Sequence, residues 1–516
     1  MPKAPAHTLS VPPCSAELSS AFILSEAPLQ MRESVTHSGA AKSTAQPELV
    51  RGIGLLQGIS LNMINMIGVG PFITLPLIVV AMHGPQAILG WILGAILAAC
   101  DGLVWAELGA AMPEAGSSYF YLKTIYGPER LGRYLSFLFI WQLTFSAPLS
   151  FASGCVGLAQ YAGFLFPVLR QTYFSYQLPV GTFHLAILFG PATILAMFCC
   201  LTAVVLLYRN IQAIGRLSAI LWLGVLGTLG TVIVTGLTHF NAHQAFEFPP
   251  HAFAPTLGFV EGLGTATLIA TYDYWGAYNI CFLGAEVRKP GYTIPRAILW
   301  SVALVAVLYL SMNISVLGVL PWQWMVGAAG VNARLSVVAV FMQTVYGSMA
   351  GRIIALLVVW TAFASVYALL LSYSRVPYAA ALDGNYFRAF ARVHPRHRFP
   401  NISLLVLGAV STLFCLFQLV DLLAALVVIR ILLQFLLQQI GLIVLRHTKP
   451  EMERPFRVWL CPLPPLVAIA GFLYILFARP AFERELFFAF LIVLTGTLLY
   501  MMRGAKRHEW PFAARL

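Results

Sequence analysis

The feature that most constrains this chain is the run from Ile53 to Met82, which carries no charged residue. About 20 apolar residues suffice to cross a bilayer as a helix, so the run is long enough. Its middle is a poor helix. Gly68-Val69-Gly70-Pro71 sets two residues that cost helix stability beside one that lacks a backbone donor and clashes with the preceding turn. In lipid, freed N–H and C=O groups persist only where protein, water or a ligand satisfies them. The stretch from Asn62 to Phe72 therefore reads as a candidate broken helix. Its second half begins with bare N–H groups able to receive an anion. A plain proline kink or a glycine-rich packing face is the alternative.

Composition decides the class. Of 516 residues, 59% are hydrophobic and 10% charged, against about 25% charged in soluble proteins. The chain reads as an all-α polytopic membrane protein embedded in a lipid bilayer. Twelve spans are expected, at 53–82, 86–110, 134–162, 186–207, 217–238, 257–285, 297–320, 352–374, 402–420, 422–445, 463–478 and 486–502. The net charge is +12, and its distribution is the informative part. With the N-terminus inside, 25 of the 31 Lys and Arg fall in cytoplasmic segments, five in outer loops and one, Arg430, within a span. That bias is the positive-inside rule and predicts cytoplasmic N and C termini at the cell membrane. The charge is thus an insertion signal, not the mark of a nucleic-acid partner.

Residues 1–50 are rich in Ser, Pro and Ala and lack a continuous apolar core. They read as a disordered cytoplasmic tail without a secretory signal peptide. The membrane domain covers 51–505, with helices grouped over 53–238, 257–445 and 463–502, and 506–516 forms a C-terminal tail. Pro148 predicts a kink in the third span. Six of the eight cysteines (Cys100, Cys155, Cys199, Cys200, Cys281, Cys415) lie in apolar runs, so no disulfide framework is implied. His239, His243 and His251 are irregularly spaced around Pro249-Pro250. A solvated loop is the plainer reading there than a metal site, and no cofactor is implied elsewhere.

The sixth span is the second unusual element. Thr271-Tyr272-Asp273-Tyr274-Trp275-Gly276-Ala277-Tyr278-Asn279 puts a carboxylate, a glycine, an amide and four aromatic residues near mid-membrane. Ionisable groups at that depth are costly and point to function. The interrupted spans are the first and the sixth. Five spans followed by five more give the second set inverted topology. Breaks in corresponding helices of inverted halves point to a midplane binding site in a secondary transporter.

Three stretches resemble the amino acid–polyamine–organocation superfamily of permeases. Gly68-Val69-Gly70-Pro71-Phe72 is similar to the glycine-rich break of its first helix. Pro113-Glu114-Ala115-Gly116-Ser117-Ser118-Tyr119 is similar to its Pro-x-x-Gly-Gly-x-Tyr loop, with Ser117 for the second glycine. Glu286-Val287-Arg288-Lys289-Pro290, running on to Thr293-Ile294-Pro295-Arg296, is similar to the exit from its sixth helix. Ser374-Arg375 and Asp383-Gly384 add support. The resemblance implies an amino acid permease with a five-plus-five inverted repeat of the LeuT type, discontinuous first and sixth helices, and two further C-terminal helices. It also implies a site between helices 1, 3, 6, 8 and 10. There the substrate carboxylate meets the Val69 and Gly70 N–H groups beside Gly68. The amine meets carbonyls of Tyr272, Asp273 and Trp275 ahead of Gly276, with Tyr272 capping the site.

Two departures bear on coupling. All six lysines lie outside the spans, which excludes coupling by a membrane lysine. Asp273 stands where the family often has a small or amide residue. A desolvated carboxylate there is a proton-coupling candidate, or a second ammonium site that would favour polyamines and other organic cations. The intramembrane ionisable set is Asp101, Glu261, Asp273 and Arg430. Arg430 and Asp273 are expected to pair, either structurally or as a gate that substrate or a proton opens. Asp101 is a further coupling candidate or a scaffold hydrogen-bonding group, and Glu107 and Glu114 serve loop structure. Thr361 and Ser365 offer hydroxyls for sodium, although such groups often bond the i−4 carbonyl instead. A channel is disfavoured by the lack of a filter-like loop or charge ring. An enzyme is disfavoured by the lack of a catalytic cluster, and ATP-driven transport by the lack of a P-loop. The expectation is a secondary transporter of amino acids working by symport with protons or by exchange, with a polyamine permease as the alternative.

Overall fold

The computed structural model describes residues 49–180, 183–327, 336–418, 420–479 and 481–512. The expected N-terminal tail lies outside these residues save its last two positions. The first span is two helices, α1 (Leu55–Met66) and α2 (Gly70–Met82), bent by 46° where the glycines and Pro71 fall. Each of the other expected spans also carries helix. These are α3 (Ile88–Ala111), α5 (Leu131–Ala162), α6 (Pro191–Leu207), α7 (Ile211–Thr238), α8 (Leu257–Tyr274), α10 (Pro290–Leu317), α12 (Ser348–Tyr373), α14 (Asn401–Phe414), α15 (Val420–Arg430), α17 (Leu463–Phe477) and α18 (Phe482–Arg507). Shorter helices α4 (Ser118–Ile125), α9 (Asn279–Phe282), α11 (Val337–Tyr346) and α13 (Arg375–Leu382) lie between them. After α15 the chain passes through a π-helical turn, Ile431–Leu436, into α16 (Leu437–Thr448). Among the described residues, seven helices have the length and hydropathy of a membrane crossing, eight with the bent pair. The protein is a predominantly helical, integral membrane protein.

Two local expectations need correction. The chain is not wholly α. Strands β1 (Phe174–Val180) and β2 (Phe183–Phe189) form an antiparallel hairpin with Phe174 opposite Phe189, and β3 (Phe417–Gln418) adds to its edge. The segment expected as helix over 186–207 is therefore helical only from Pro191. The segment 402–420 is helical only to Phe414 before β3, with α15 beginning at Val420. Short apolar runs do not distinguish strand from helix, and the alternation of Phe174, Tyr176 and Leu178 is the period-2 signal that was available. Pro191 starts α6 because its missing N–H is one the first turn cannot use. Elsewhere α5 runs unbroken through Pro148.

Close packing positions the two breaks. Gly90 and Gly94, four apart on α3, face Ala266 and Ala270 of α8, where an added Cβ would come within 2.7 and 3.0 Å. Small residues at this spacing let two membrane helices approach closely. Two of the family-like stretches, the Gly116 loop and the exit of the sixth span, meet the residues just before α1 at one end of the bundle. The Ile53 and Gly52 N–H groups both donate to the Glu286 carbonyl, at 3.0 and 2.8 Å. The Gly116 N–H donates to the Phe282 carbonyl at 3.2 Å, with Gly116 at φ +87°. The Glu286 carboxylate receives both Nε and Nη2 of Arg375 at 3.0 Å, each side chain 1% exposed. Nearby, the Tyr119 hydroxyl and Lys123 both bond Asp383. Glu107 receives Arg446 and the Val458 N–H, which gives it the loop-anchoring role expected.

Removing one partner of a fully buried pair strands a charge, at a cost of about 3–5 kcal/mol. Glu286→Gln is expected to lower the thermal unfolding midpoint of the detergent-solubilised protein strongly. Glu286→Met combined with Arg375→Met is expected to recover much of that loss.

Candidate functional site

The two chain breaks face each other. α1 ends at Met66 and Ile67 has non-helical ψ of 73°, so the chain crosses Gly68 and Val69 before α2 begins. α8 ends at Tyr274, and Trp275 turns extended. Gly276 then takes φ +129°, a conformation that favours glycine. An added Cβ at Gly276 would lie 2.6 Å from the Asn65 amide of α1. The Tyr309 hydroxyl of α10 joins the breaks, donating to the Met66 carbonyl at 2.8 Å with the Asp273 carbonyl at 3.3 Å. Asn62 accepts from the Ile280 N–H at 2.9 Å and ties α1 to the chain beyond Gly276.

Between the breaks lies a cavity of about 190 Å³, room for roughly six waters at ~30 Å³ each. Its walls are Gly68, Val69 and Gly70 of the first break, and Tyr272, Asp273, Trp275 and Gly276 of the sixth span. Ser150, Ser153 and Gly154 of α5 close one side. Ser365 and Tyr373 of α12 and Arg430 of α15 complete the lining. All seven residues expected to contact substrate therefore line one space, with contributions from the five helices expected. Tyr272 (43% exposed) and Ser153 are its open lip. At the opposite end Trp105 stacks on Tyr278 at 4.2 Å, and Tyr278 and Phe282 pack edge-on.

The polar groups are unevenly satisfied. Among the described residues, the Val69 and Gly70 N–H groups donate to no acceptor, leaving the bare donors expected. The Asp273 carboxylate lies directly over Gly70, where an added Cβ would overlap Oδ1 and sit 3.2 Å from Cγ. Its other oxygen accepts from the Thr74 hydroxyl at 2.5 Å. Of the expected amine-binding carbonyls, that of Tyr272 already accepts from the Trp275 N–H at 3.1 Å.

The expected Asp273–Arg430 pair is not formed: among the described residues no ion pair within 4.0 Å joins them. Instead the Arg430 guanidinium sits 5.7 Å from the Tyr373 ring and 5.8 Å from the Trp275 ring, and its Nε has no hydrogen-bond partner. Arg430, at the end of α15, and Asp273, which Thr74 already holds, line the same cavity without pairing. Asp101 lies outside the cavity lining and accepts from the Gln439 amide at 2.6 Å, tying α3 to α16. Thr361 bonds its own i−4 carbonyl, Leu357, at 2.9 Å, while the Ser365 hydroxyl reaches the Asn65 carbonyl at 3.3 Å. Thr74 and Tyr309 escaped the sequence reading. Thr74 stands four residues after Gly70, one helical turn on, which was the available signal; a single tyrosine in an apolar span gave none.

Tyr309→Phe removes one of two donors to the Met66 carbonyl, the other being the Gly68 N–H at 3.0 Å. A loss of about 0.5–1.5 kcal/mol is expected, read as a lowered thermal unfolding midpoint.

Comparison with known proteins identifies the family. The family model described as amino acid permease matches residues 53–498. Solute carrier family 7 member 13 of Mus musculus is 27% identical over 473 residues, 90% of this chain and 92% of the relative. The serine/threonine exchanger SteT of Bacillus subtilis (strain 168) is 26% identical, covering 83% of this chain and 91% of its own. The branched-chain amino acid permease BcaP of the same organism is 24% identical over 91% and 96%. These relatives are transporters and not enzymes. A match spanning most of the chain, on the helices that carry both breaks, shows that this chain belongs to the amino acid permease family.

Proposed function

We propose that the protein is a secondary active transporter that moves amino acids by alternating access, through the cavity between the two breaks. The observation that carries this reading is the convergence of bare N–H groups, a carboxylate and a guanidinium on one cavity of amino-acid scale. In the proposed architecture, twelve helices within residues 51–505 form a five-plus-five inverted repeat followed by two helices. Both termini are cytoplasmic and the protein resides in the plasma membrane. On that topology the Tyr272 lip faces outward, and the Glu286–Arg375 end forms the closed inner side. Gly68, Val69, Gly70, Tyr272, Asp273, Trp275 and Gly276 are the proposed substrate contacts. Asp273 and Arg430 are the coupling or gating groups nearest substrate, and Asp101 acts from the scaffold. Transport is proposed to be proton symport or exchange. The relatives' names include both an exchanger and a permease.

A second reading, a permease for polyamines or other organic cations, is favoured by one observation. The Asp273 carboxylate is 3% exposed and has no cationic partner among the described residues.

Purified protein in liposomes, offered neutral, cationic and aromatic amino acids plus putrescine and spermidine, separates these readings. Symport predicts accumulation driven by an inward proton gradient and weakened in Asp273→Asn. Exchange predicts flux that needs preloaded substrate and no gradient. Polyamine uptake alone would replace the first reading with the second. Gly70→Ala pushes a methyl into the Asp273 carboxylate, an overpacking of about 1–3 kcal/mol. It is expected to cut uptake roughly tenfold or more. Gly227→Ala, whose added Cβ meets nothing within 4 Å, should leave uptake unchanged.

A further inference from the structure

Six of the eight cysteines lie in apolar runs, and three of these converge. Cys155 of α5, Cys200 of α6 and Cys415, the residue after α14, come from separate helices, and each thiol is within hydrogen-bond reach of the other two. Cys155 and Cys200 are fully buried and Cys415 nearly so. The Cys200 sulfur also lies 3.1 Å from the Thr412 hydroxyl and 3.5 Å from the Gly408 carbonyl, and the Cys415 sulfur lies 3.4 Å from the Ser411 carbonyl. The three thiols thus share a polar strip between helices. Their arrangement does not suit a metal ion. One of them can be reached from outside the core. Cys415 lines the cavity of about 510 Å³ beside the hairpin, together with Gln160, Arg170 and Thr172, whereas Cys155 and Cys200 do not. Arg170, Gln171 and Thr172 are exposed at its mouth. Cysteines react where they combine access with an electropositive neighbourhood, and Arg170 supplies positive charge in the same cavity. On the proposed topology this mouth opens to the outer face, the side on which thiols meet oxidants.

We propose that this triad is a redox site, entered by a peroxide at Cys415 and closed as a disulfide by Cys155 or Cys200. The Cys415 sulfur takes one oxygen from the peroxide, giving a sulfenic acid and one water. A neighbouring thiol then attacks that sulfur. The S–S bond forms, the S–O bond breaks, and the hydroxide leaves with the thiol proton as a second water. Two thiols have then lost two electrons, and one peroxide has been reduced to two waters. A disulfide holds its sulfurs about 2 Å apart, so the link draws two helices together at Cys155, which contacts both other thiols. Cys155 follows Gly154, which lines the substrate cavity with Ser150 and Ser153. Oxidation therefore disturbs the α5 wall of that cavity and slows transport. This consequence rests on the transport reading, and the cross-link itself does not.

The test exposes full-length, pre-reduced protein in liposomes to hydrogen peroxide and maps its disulfides by mass spectrometry after alkylation. Cys199→Ala serves as the background, so that a link to α6 can involve only Cys200. The map should show Cys415 joined to Cys155 or to Cys200. Cys415→Ser should abolish the link, and Cys415→Ala replaces it where the serine variant does not fold. Cys155→Ser and Cys200→Ser should each leave a link through the remaining partner. Their combination should leave Cys415 as a sulfenic acid that dimedone traps. Amino acid uptake should fall about tenfold on oxidation, as expected when a cavity wall is displaced, and return with dithiothreitol; in Cys415→Ser, peroxide should leave uptake unchanged. Three triad thiols that all remain free to alkylate after peroxide would overturn the proposal. A Cys155–Cys200 link that persists in Cys415→Ser would overturn it too, and so would a link that leaves uptake unaltered. Folded protein with no uptake even before oxidation would count against the transport reading instead, while the disulfide map still decides the redox site.

Discussion

Everything in this structure depends on what happens to peptide groups that a membrane helix cannot satisfy. In a bilayer a helix keeps its own N–H and C=O groups bonded, and any break must be met from outside. This chain breaks two helices at the same depth and turns the breaks toward each other. Part of the debt is met internally: Tyr309 serves the Met66 carbonyl, and Asn62 takes the Ile280 N–H. The Val69 and Gly70 donors are left open, and they open onto the cavity. The broken backbone thus creates the polar surface that an otherwise apolar bundle lacks.

The rest of the bundle holds those breaks in register. Gly90 and Gly94 let α3 lie tight against α8, so the sixth span has little room to shift locally. At the far end, the buried Glu286–Arg375 pair joins the exit of the sixth span to the start of α13. The Gly116 loop and the strand-like contact between Ile53 and Val287 close around it. Ion pairs and backbone bonds at one end, with an open lip of Tyr272 and Ser153 at the other, make the two ends mechanically unlike. An alternating carrier needs that asymmetry, and in the proposed cycle the ionic end is the one that must open next.

Much of this was legible in the residues. Gly68-Val69-Gly70-Pro71 and Tyr272 to Gly276 marked both breaks because glycine, proline and an intramembrane aspartate are individually costly there. The contributing helices followed from the resemblance. What the sequence hid was pairing. Asp273 and Arg430 looked like natural partners because they were the deepest opposite charges. The fold gives Asp273 to Thr74 and leaves Arg430 between two aromatic rings. A contact between residues 199 positions apart, such as Thr74 with Asp273, leaves no periodic trace. The hairpin at Phe174–Phe189 was missed for a different reason: its apolar run satisfies helix and strand patterns alike.

The most direct test of the central claim is a cryo-electron microscopy structure of the protein in lipid nanodiscs with a transported amino acid bound. The account predicts ligand density in the cavity between Gly68–Gly70 and Tyr272–Gly276, touching Asp273 and Arg430. Density located instead in the larger cavity of about 510 Å³ beside Arg170 and Cys415, with the space between the breaks empty, would contradict it.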